Sequence, residues 1–163
     1  MDANIAMLLK KIQSGYYHLG ILPVTTEMDE EKIATQIAQL SGGSTLNVGL
    51  KLSELLMELP SSQRAVRAPS ELQALLPTAP YIVLYHLPIL YHPELQLNVF
   101  RLLLQLSRNV PIIALLPCRY DDRWLWYAEL GHPEYQQHAR EDLYIIQAAK
   151  DIGRTCCQLV QNL

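Results

Sequence analysis

Apolar residues recur along this chain in two patterns, which predict alternating helices and strands. Helical spacing marks an opening helix through Ile5, Leu8 and Ile12, and it is clearest in the segment 95–106. A continuous apolar run begins at Pro80 and leads to Tyr85 at its end. It is too short for a helix and is rich in β-branched and aromatic residues, so it predicts a strand. The segment 110–116 has a similar character. Such strands are buried on both faces and belong to parallel sheets covered by helices.

The remaining elements follow in chain order. Strands are predicted at 18–24, 45–48, 124–128 and 143–146, and a structured loop at 131–135. Helices are predicted from Ile33 to Gly42-Gly43, from Leu52 to a break at residues 60–62, from Pro69 as a first-turn proline to Leu76, and over 147–161. This order predicts right-handed crossovers and a three-layer α/β sandwich with a mostly parallel sheet.

The composition limits the number of domains and the class of partner. With 163 residues, of which 50% are hydrophobic, the chain can bury one sizeable core, and we expect a single domain over 1–163. Only 18% of the residues are charged, against about 25% in typical soluble domains. We therefore expect a partner to cover part of the surface. The formal charge of −3 weighs against a protein that coats nucleic acid or anionic lipid.

The cysteines and the amino-terminal segment bear on location. The chain has three cysteines, Cys118, Cys156 and Cys157, an odd number that includes an adjacent pair. This pattern favours reduced thiols over a disulfide framework. The first residues lack the pattern of a secretory signal, and no uncharged apolar run reaches the roughly 18 residues of a membrane span. We expect a cytoplasmic protein that does not enter a membrane.

The segment after the first strand is where a phosphate-binding loop would lie. Such loops are rich in glycine and end in Gly-Lys-Ser/Thr, so that free helix N–H groups can hold a phosphate. Here the segment 25–32 reads TTEMDEEK, with no glycine and four acids. Thr25, Thr26, Glu27 and Lys32 therefore form at most a degenerate loop, and the spacing of Thr26 and Asp29 resembles a helix capping box. We expect carboxylates here to stabilise the helix and to repel a triphosphate.

The end of the buried strand lacks the other half of a nucleotide site. Ligands of open α/β sheets bind at the carboxyl ends of the strands, and a nucleotide-hydrolysing protein is expected to hold its metal there with an acid. Tyr85 occupies that position.

Four stretches of the sequence together resemble the BrxF family, the small P-loop-containing component of certain BREX phage-defence systems. They are 46–56 (LNVGLKLSELL), the buried strand through to 89–93 (ILYHP), 101–109 (RLLLQLSRN) and 127–135 (YAELGHPEY), within a resemblance that spans roughly residues 17 to 146. It implies a P-loop-NTPase-like sandwich and a role in antiviral defence within a multi-protein complex.

The chain departs from the family pattern at two positions together. Family members are expected to carry a glycine-rich loop where this chain has Thr25 to Lys32, and an acid where it has Tyr85. The loss of both halves indicates a pseudo-NTPase with no catalytic residue, no cofactor and no metal, which keeps its scaffold and its protein-binding surfaces.

A cluster of aromatic and charged residues follows the second buried strand. Arginine with tryptophan is typical of interface hot spots, and also of platforms on which single-stranded nucleic acid stacks. The neighbouring aspartates favour a protein partner, and a core hairpin with inward-facing tryptophans is a third interpretation. The candidate partner-binding residues are Arg119, Arg123, Trp124, Trp126, His132, Glu134 and Tyr135.

Other chemistry has weaker support in the sequence. His86 and His92 suggest metal ligands, but intervening prolines exclude a simple helical spacing between them. Cys118 suggests a nucleophile with His132 as its base, although a buried unreactive thiol is far commoner.

The sequence therefore predicts a non-catalytic subunit or adaptor of a prokaryotic BREX-type complex, which docks to a larger ATPase or DNA-modifying subunit through residues 119–135. Self-association stays open. One alternative is a divergent NTPase of the same system that still binds nucleotide. Another is a small DNA-binding adaptor that uses Lys51, Arg64, Arg67, Arg119 and Arg123.

Overall fold

The structure, a computed structural model, describes residues 3–15 and 18–147. Within these ranges the helices are α1 (Ala3–Gln13), α2 (Glu30–Gln39), α3 (Val48–Met57), α4 (Ser61–Leu75) and α5 (Val99–Leu106). The strands are β1 (Leu19–Pro23), β2 (Ser44–Asn47), β3 (Ile82–Tyr85), β4 (Ile112–Leu116), β5 (Arg119–Tyr120), β6 (Trp124–Tyr127), β7 (Gln136–Ala139) and β8 (Tyr144–Ile145). Short 3₁₀ helices cover Leu87–Tyr91, Pro93–Leu95 and Arg140–Asp142.

The main sheet has five parallel strands in the order β2-β3-β4-β1-β8. Every residue of β3 and β4 is buried, which confirms the two predicted buried strands. In β4, Ile112, Ala114 and Leu116 join one apolar cluster with α3, α4 and α5. Ile113 and Leu115 join a second cluster with α1 and α2. Helices thus pack on both faces, as expected for an α/β fold with a mostly parallel sheet.

A small antiparallel sheet, in the order β5-β6-β7, follows β4 along the chain. The strand predicted at 124–128 is its central strand. Leu125 and Tyr127 are buried in the cluster that contains α5, and Gln136 fixes the sheet to that helix. The Gln136 side chain accepts a hydrogen bond from Val99 N at 2.8 Å and donates one to Leu97 O at 2.6 Å. The sequence did not predict β5 or β7.

One helix begins earlier than predicted. Pro69 is not a first-turn proline but lies inside α4, which starts at Ser61 directly after Pro60. Ala68 and Leu72 are both buried, so one apolar stripe continues past the proline and packs on the core. This burial offsets the loss of one main-chain hydrogen bond at Pro69.

Another helix begins later than predicted. The segment 95–106 forms a helix only from Val99, because Asn98 Oδ1 accepts a hydrogen bond from Arg101 N at 3.1 Å and caps α5 there. Gln96, with φ of 51°, turns the chain before that cap. The predicted closing helix at 147–161 lies outside the described residues, apart from Gln147. None of the helices within 3–15 and 18–147 has the length and apolar character needed to cross a bilayer.

Tyr81 fixes α2 on the sheet just before β3 begins. Its ring is fully buried, and its hydroxyl donates a hydrogen bond to Ile37 O at 2.6 Å, near the end of α2. A Cβ atom at Gly43 would lie 2.5 Å from this ring, so glycine is required for the close approach. The start of α2 is thereby held over the carboxyl ends of the central strands.

Candidate functional site

The carboxyl edge of the parallel sheet brings three loops together. The segment 24–29 follows β1, Asn47 ends β2, and His86 follows β3. Because these strands are parallel, their carboxyl ends lie at one edge, where ligands of open α/β sheets bind. The segment 25–32 and Tyr85, which the sequence singled out separately, therefore lie at the same edge of the sheet.

The first turn of α2 is capped by the chain's own carboxylate. Asp29 Oδ1 accepts a hydrogen bond from Lys32 N at 3.1 Å, and Asp29 is the N-cap residue. The capping box predicted at Thr26 is therefore wrong by three positions. Thr25, Thr26 and Glu27 are exposed in the preceding loop, and so is Lys32. An anion would have to displace Asp29 to reach this N–H group.

Glu30 connects the two positions at which a nucleotide site would be built. Its Oε1 accepts a hydrogen bond from the main-chain N–H of His86 at 3.3 Å. Burial raises the pKa of Glu30 above its ordinary value, and the hydrogen bond and charge of His86 partly offset that rise. The carboxylate thus bridges the start of α2 and the chain leaving β3.

Asn47 orders the side chains next to this bridge. Its Oδ1 accepts hydrogen bonds from Leu50 N at 3.0 Å, as the N-cap of α3, and from His86 Nδ1 at 3.2 Å. Since this oxygen can only accept, Nδ1 carries a proton. The same side chain bonds Tyr85, the residue at the expected metal-holding position.

His86 and Tyr85 are held in fixed positions after β3. His86 has φ of 54°, in the left-handed region. Its ring packs edge-on against the ring of Tyr85, with 4.8 Å between the ring centres. A Cβ atom at Gly49 would lie 2.9 Å from His86 O, so only glycine fits there. Tyr85 is buried; this burial raises its pKa, the charge of Glu31 adds to the rise, and the Asn47 hydrogen bond lowers it. A neutral phenol thus occupies the position expected of an acid.

The structure adds little support for a metal site at His86 and His92 or for Cys118 as a nucleophile. Among the described residues, no three His, Cys, Asp or Glu side chains come together as a metal site would need. Burial raises the pKa of Cys118 to about 12, which keeps the thiol protonated near neutral pH and unsuited to nucleophilic attack. His132, its proposed base, accepts a hydrogen bond from Glu134 N through Nδ1 at 3.1 Å.

A second surface is built on the outward side of β6, which we name the outer face: Arg119, Trp124 and Trp126. The two tryptophans alternate with buried Leu125 and Tyr127, so they point away from the core, and the interpretation with inward tryptophans is wrong. Trp124 is 39% exposed. Arg119 pairs with Trp126 across β5 and β6, and its guanidinium lies 6.0 Å from the centre of that ring.

The other candidate residues flank the outer face. Arg123 lies in the turn before β6, where Asp121 Oδ1 accepts hydrogen bonds from the main-chain N–H groups of residues 123 and 124, both at 2.8 Å. Tyr135 bonds Gln137, which pairs with Trp126 across β6 and β7. His132 and Glu134 belong to the loop between these two strands.

Sequence reasoning missed Arg140, which packs on Tyr120; Tyr120 pairs with buried Leu125, so it lies on the opposite face of the small sheet from Trp126. The Arg140 guanidinium lies 5.1 Å from the centre of the Tyr120 ring and donates a hydrogen bond from Nη1 to Asp121 O at 2.7 Å. A cavity of about 560 Å³ opens beside it, lined by Asp122, Arg123, Trp124, Ala139, Arg140 and Glu141. Arg140 is distant in sequence from the residues of β5 and β6. No sequence pattern pointed to it, because β7, the strand that precedes it, has no alternating apolar residues.

The basic residues considered for DNA binding are partly engaged elsewhere. Arg64 Nε donates hydrogen bonds to Leu56 O at 2.9 Å and Leu59 O at 3.2 Å, at the end of α3. Arg67 forms an ion pair with Glu71 at 2.9 Å. Lys51 is exposed on α3.

Replacing Glu30 by glutamine should change how stability depends on pH. Because burial raises the pKa of Glu30 above about 4.5, the folded chain holds this proton more tightly than the unfolded chain does. Wild-type stability therefore falls as pH rises through the window that begins there. Glu30→Gln keeps an acceptor for His86 N and removes this loss, so the variant should gain stability relative to wild type from about pH 4 to about pH 7.

Urea unfolding of wild type and Glu30→Gln at about pH 4 and about pH 7 measures the difference in their unfolding free energies. Glu31→Gln, which removes an exposed carboxylate from the same helical turn, is the matched control for loss of charge. If the difference in unfolding free energy between Glu30→Gln and wild type stays constant, or shifts in favour of wild type as pH rises, the burial of this carboxylate at the edge of the sheet is contradicted.

Comparisons of the chain with protein-family models, curated proteins and solved structures find no match. The resemblance to the BrxF family therefore remains an expectation, which rests on the four sequence stretches quoted in the sequence analysis.

Proposed function

We propose that this protein is a non-catalytic, P-loop-like subunit of a BREX-type anti-phage defence complex, and that it acts by docking to a larger ATPase or DNA-modifying subunit. The observation that carries the proposal is the bridge from Glu30 to His86 N. It joins the degenerate phosphate loop to the strand end that lacks an acid. The chain's own carboxylates take the place where a P-loop protein holds phosphate and metal.

The strand order supports the P-loop-like part of the proposal. In the order β2-β3-β4-β1-β8, β4 lies between the strand that would carry the phosphate loop and the strand that would carry the metal-holding acid. Both strand ends therefore open at one edge of the sheet, where a P-loop protein would need its phosphate loop and its metal-holding acid. The chain passes from the end of β1 into α2, so this helix starts at the carboxyl edge of the sheet, where β3 also ends.

Electrostatics at this edge also oppose nucleotide binding. Glu27, Asp29, Glu30 and Glu31 crowd the start of α2, with Lys32 as the one cation of the segment 25–32. A triphosphate that carries about four negative charges would be repelled by these carboxylates and would find no glycine at which to approach the main chain. The scaffold can remain while its original ligand is lost.

The outer face supplies the docking part of the proposal. Tryptophan and arginine are enriched among residues that dominate binding energy at interfaces, and Trp124 and Arg123 are both exposed. Arg119 stacks toward Trp126, and Asp121 fixes the turn before β6, so little side-chain and loop freedom would be lost on binding. Asp121 and Asp122 lie between Arg119 and Arg123 in the sequence, and this mixture of charges suits a protein partner better than a phosphate backbone.

Calorimetric titration with Mg-ATP and Mg-GTP should give no binding heat up to millimolar ligand. A dissociation constant below about 0.1 mM, or about 5.5 kcal/mol of binding free energy, would overturn the pseudo-NTPase proposal and favour the divergent NTPase. Glu30→Gln, titrated in parallel, should bind no better, because the loop still lacks glycine and Tyr85 still replaces the acid.

Docking should depend on Trp124. The probes are the purified products of the genes that neighbour this one, each immobilised and titrated with this chain. Trp124→Ala should weaken the binding of the true partner at least tenfold, since truncation of such an anchor typically costs about 2 kcal/mol or more. Met7→Ala, which truncates a 60% exposed side chain on α1, is the control and should bind as wild type does. Equal binding by all three forms would exclude the outer face as the docking surface.

A further inference from the structure

A groove with an excess of positive charge lies along the exposed side of α5. It encloses about 380 Å³ and is lined by Arg101, Leu104, Gln105, Arg108, His138 and Asp142. Arg101 and Arg108 lie near the two ends of the helix and are both exposed, whereas Leu104 is nearly fully buried and forms the floor. The volume falls within the range of about 300 to 1,000 Å³ that is typical of ligand sites.

His138, on β7, forms a fixed wall of this groove. Its ring stacks on the Phe100 ring with 5.7 Å between ring centres, and its Nε2 atom lies 3.0 Å from Asp142 Oδ2. Because a carboxylate oxygen can only accept, Nε2 carries a proton and donates it to this bond. The lining thus holds two guanidinium groups against one carboxylate, which His138 already engages.

The sequence around α5 concentrates this positive charge. Acids outnumber bases in the chain by 16 to 13, yet no acid occurs between Glu94 and Asp121, a segment that holds three arginines. Arg101 is the third residue of α5, a position at which the helix dipole favours an acid and disfavours a base. The charge of Arg101 is therefore explained better by an anionic ligand than by helix stability.

The groove adjoins the outer face across a single turn of the chain. Arg140 and Glu141 line the cavity beside Trp124, and the next residue, Asp142, lines the groove. These three residues form the 3₁₀ helix Arg140–Asp142. A partner that docks on the outer face can therefore reach the groove with a short extended segment.

We propose that an acidic peptide segment of the docking partner binds in this groove, an inference that rests on the proposed docking function. Its carboxylates pair with Arg101 and Arg108, because a guanidinium group holds a carboxylate through two parallel N–H···O bonds. Gln105 can both donate to and accept from a peptide main chain, and Asp142 can accept a peptide N–H, which a nucleic acid backbone lacks. Two arginines beside an acid also fall short of the wide positive field that a run of phosphates needs.

Titration of ¹⁵N-labelled protein with a hexaglutamate peptide tests this binding without the natural partner. At low ionic strength, the NMR amide signals of Arg101, Gln105 and His138 should shift saturably, with a dissociation constant below about 1 mM. Hexaglutamine, which has the same length without the charges, should cause no shift. Arg101→Glu should weaken peptide binding at least about tenfold, because it replaces attraction by repulsion. Its melting temperature should not fall, since an acid suits the first turn of α5.

The control variant and a second ligand make the test specific. Lys51→Glu reverses an exposed charge on α3, outside the groove, and should bind the peptide as wild type does. Single-stranded DNA of six nucleotides, titrated in parallel, should bind more weakly than hexaglutamate. DNA binding as tight as peptide binding, no saturable shift with hexaglutamate, or an equal loss in Lys51→Glu would each overturn the proposal. Trp124→Ala should bind the peptide normally, so failure of the groove and failure of docking on the outer face are distinguishable.

Discussion

Burial of β3 and β4 on both faces is the constraint on which the rest of this structure depends. Every residue of these strands is buried, and the side chains of β4 alternate between two apolar clusters. Charged groups cannot lie on such strands without a large desolvation cost. Polar chemistry is therefore confined to the strand ends, and helices must cover both faces. The carboxyl edge is where Asp29, Glu30, Asn47 and His86 converge.

At that edge the chain satisfies its own polar groups. Asp29 caps α2, Asn47 caps α3 and holds His86, and Glu30 accepts the His86 N–H. In a P-loop protein, phosphate oxygens and a bound metal would provide many of these interactions. Here internal carboxylates and an amide provide them.

Local apolar spacing was sufficient to predict α1, α2, β3 and β4, because each buries a continuous stripe or run. It failed where tertiary contacts decide. Pro69 was placed at a helix start although packing of Ala68 and Leu72 carries α4 through it, and β7 was missed because Gln136–Ala139 shows no alternation and gains its pairing from β6.

The site was predictable only in parts. The missing glycines and the missing acid could be read directly from residues 25–32 and from Tyr85. The bridge that joins them could not, since Glu30 and His86 are 56 residues apart and meet only through the parallel order of the strands. Arg140 was missed because its position depends on β7, whose pairing with β6 the local sequence does not show.

The central claim is that the chain's own carboxylates occupy the N–H groups that a phosphate would need. The most direct measurement follows the amide signals of Lys32 and His86 in ¹⁵N-labelled protein by NMR while Mg-ATP is added to about 5 mM, at constant pH and ionic strength. The account predicts that both signals stay in place. A saturable shift of either signal would mean that phosphate displaces Asp29 or Glu30, and would contradict it.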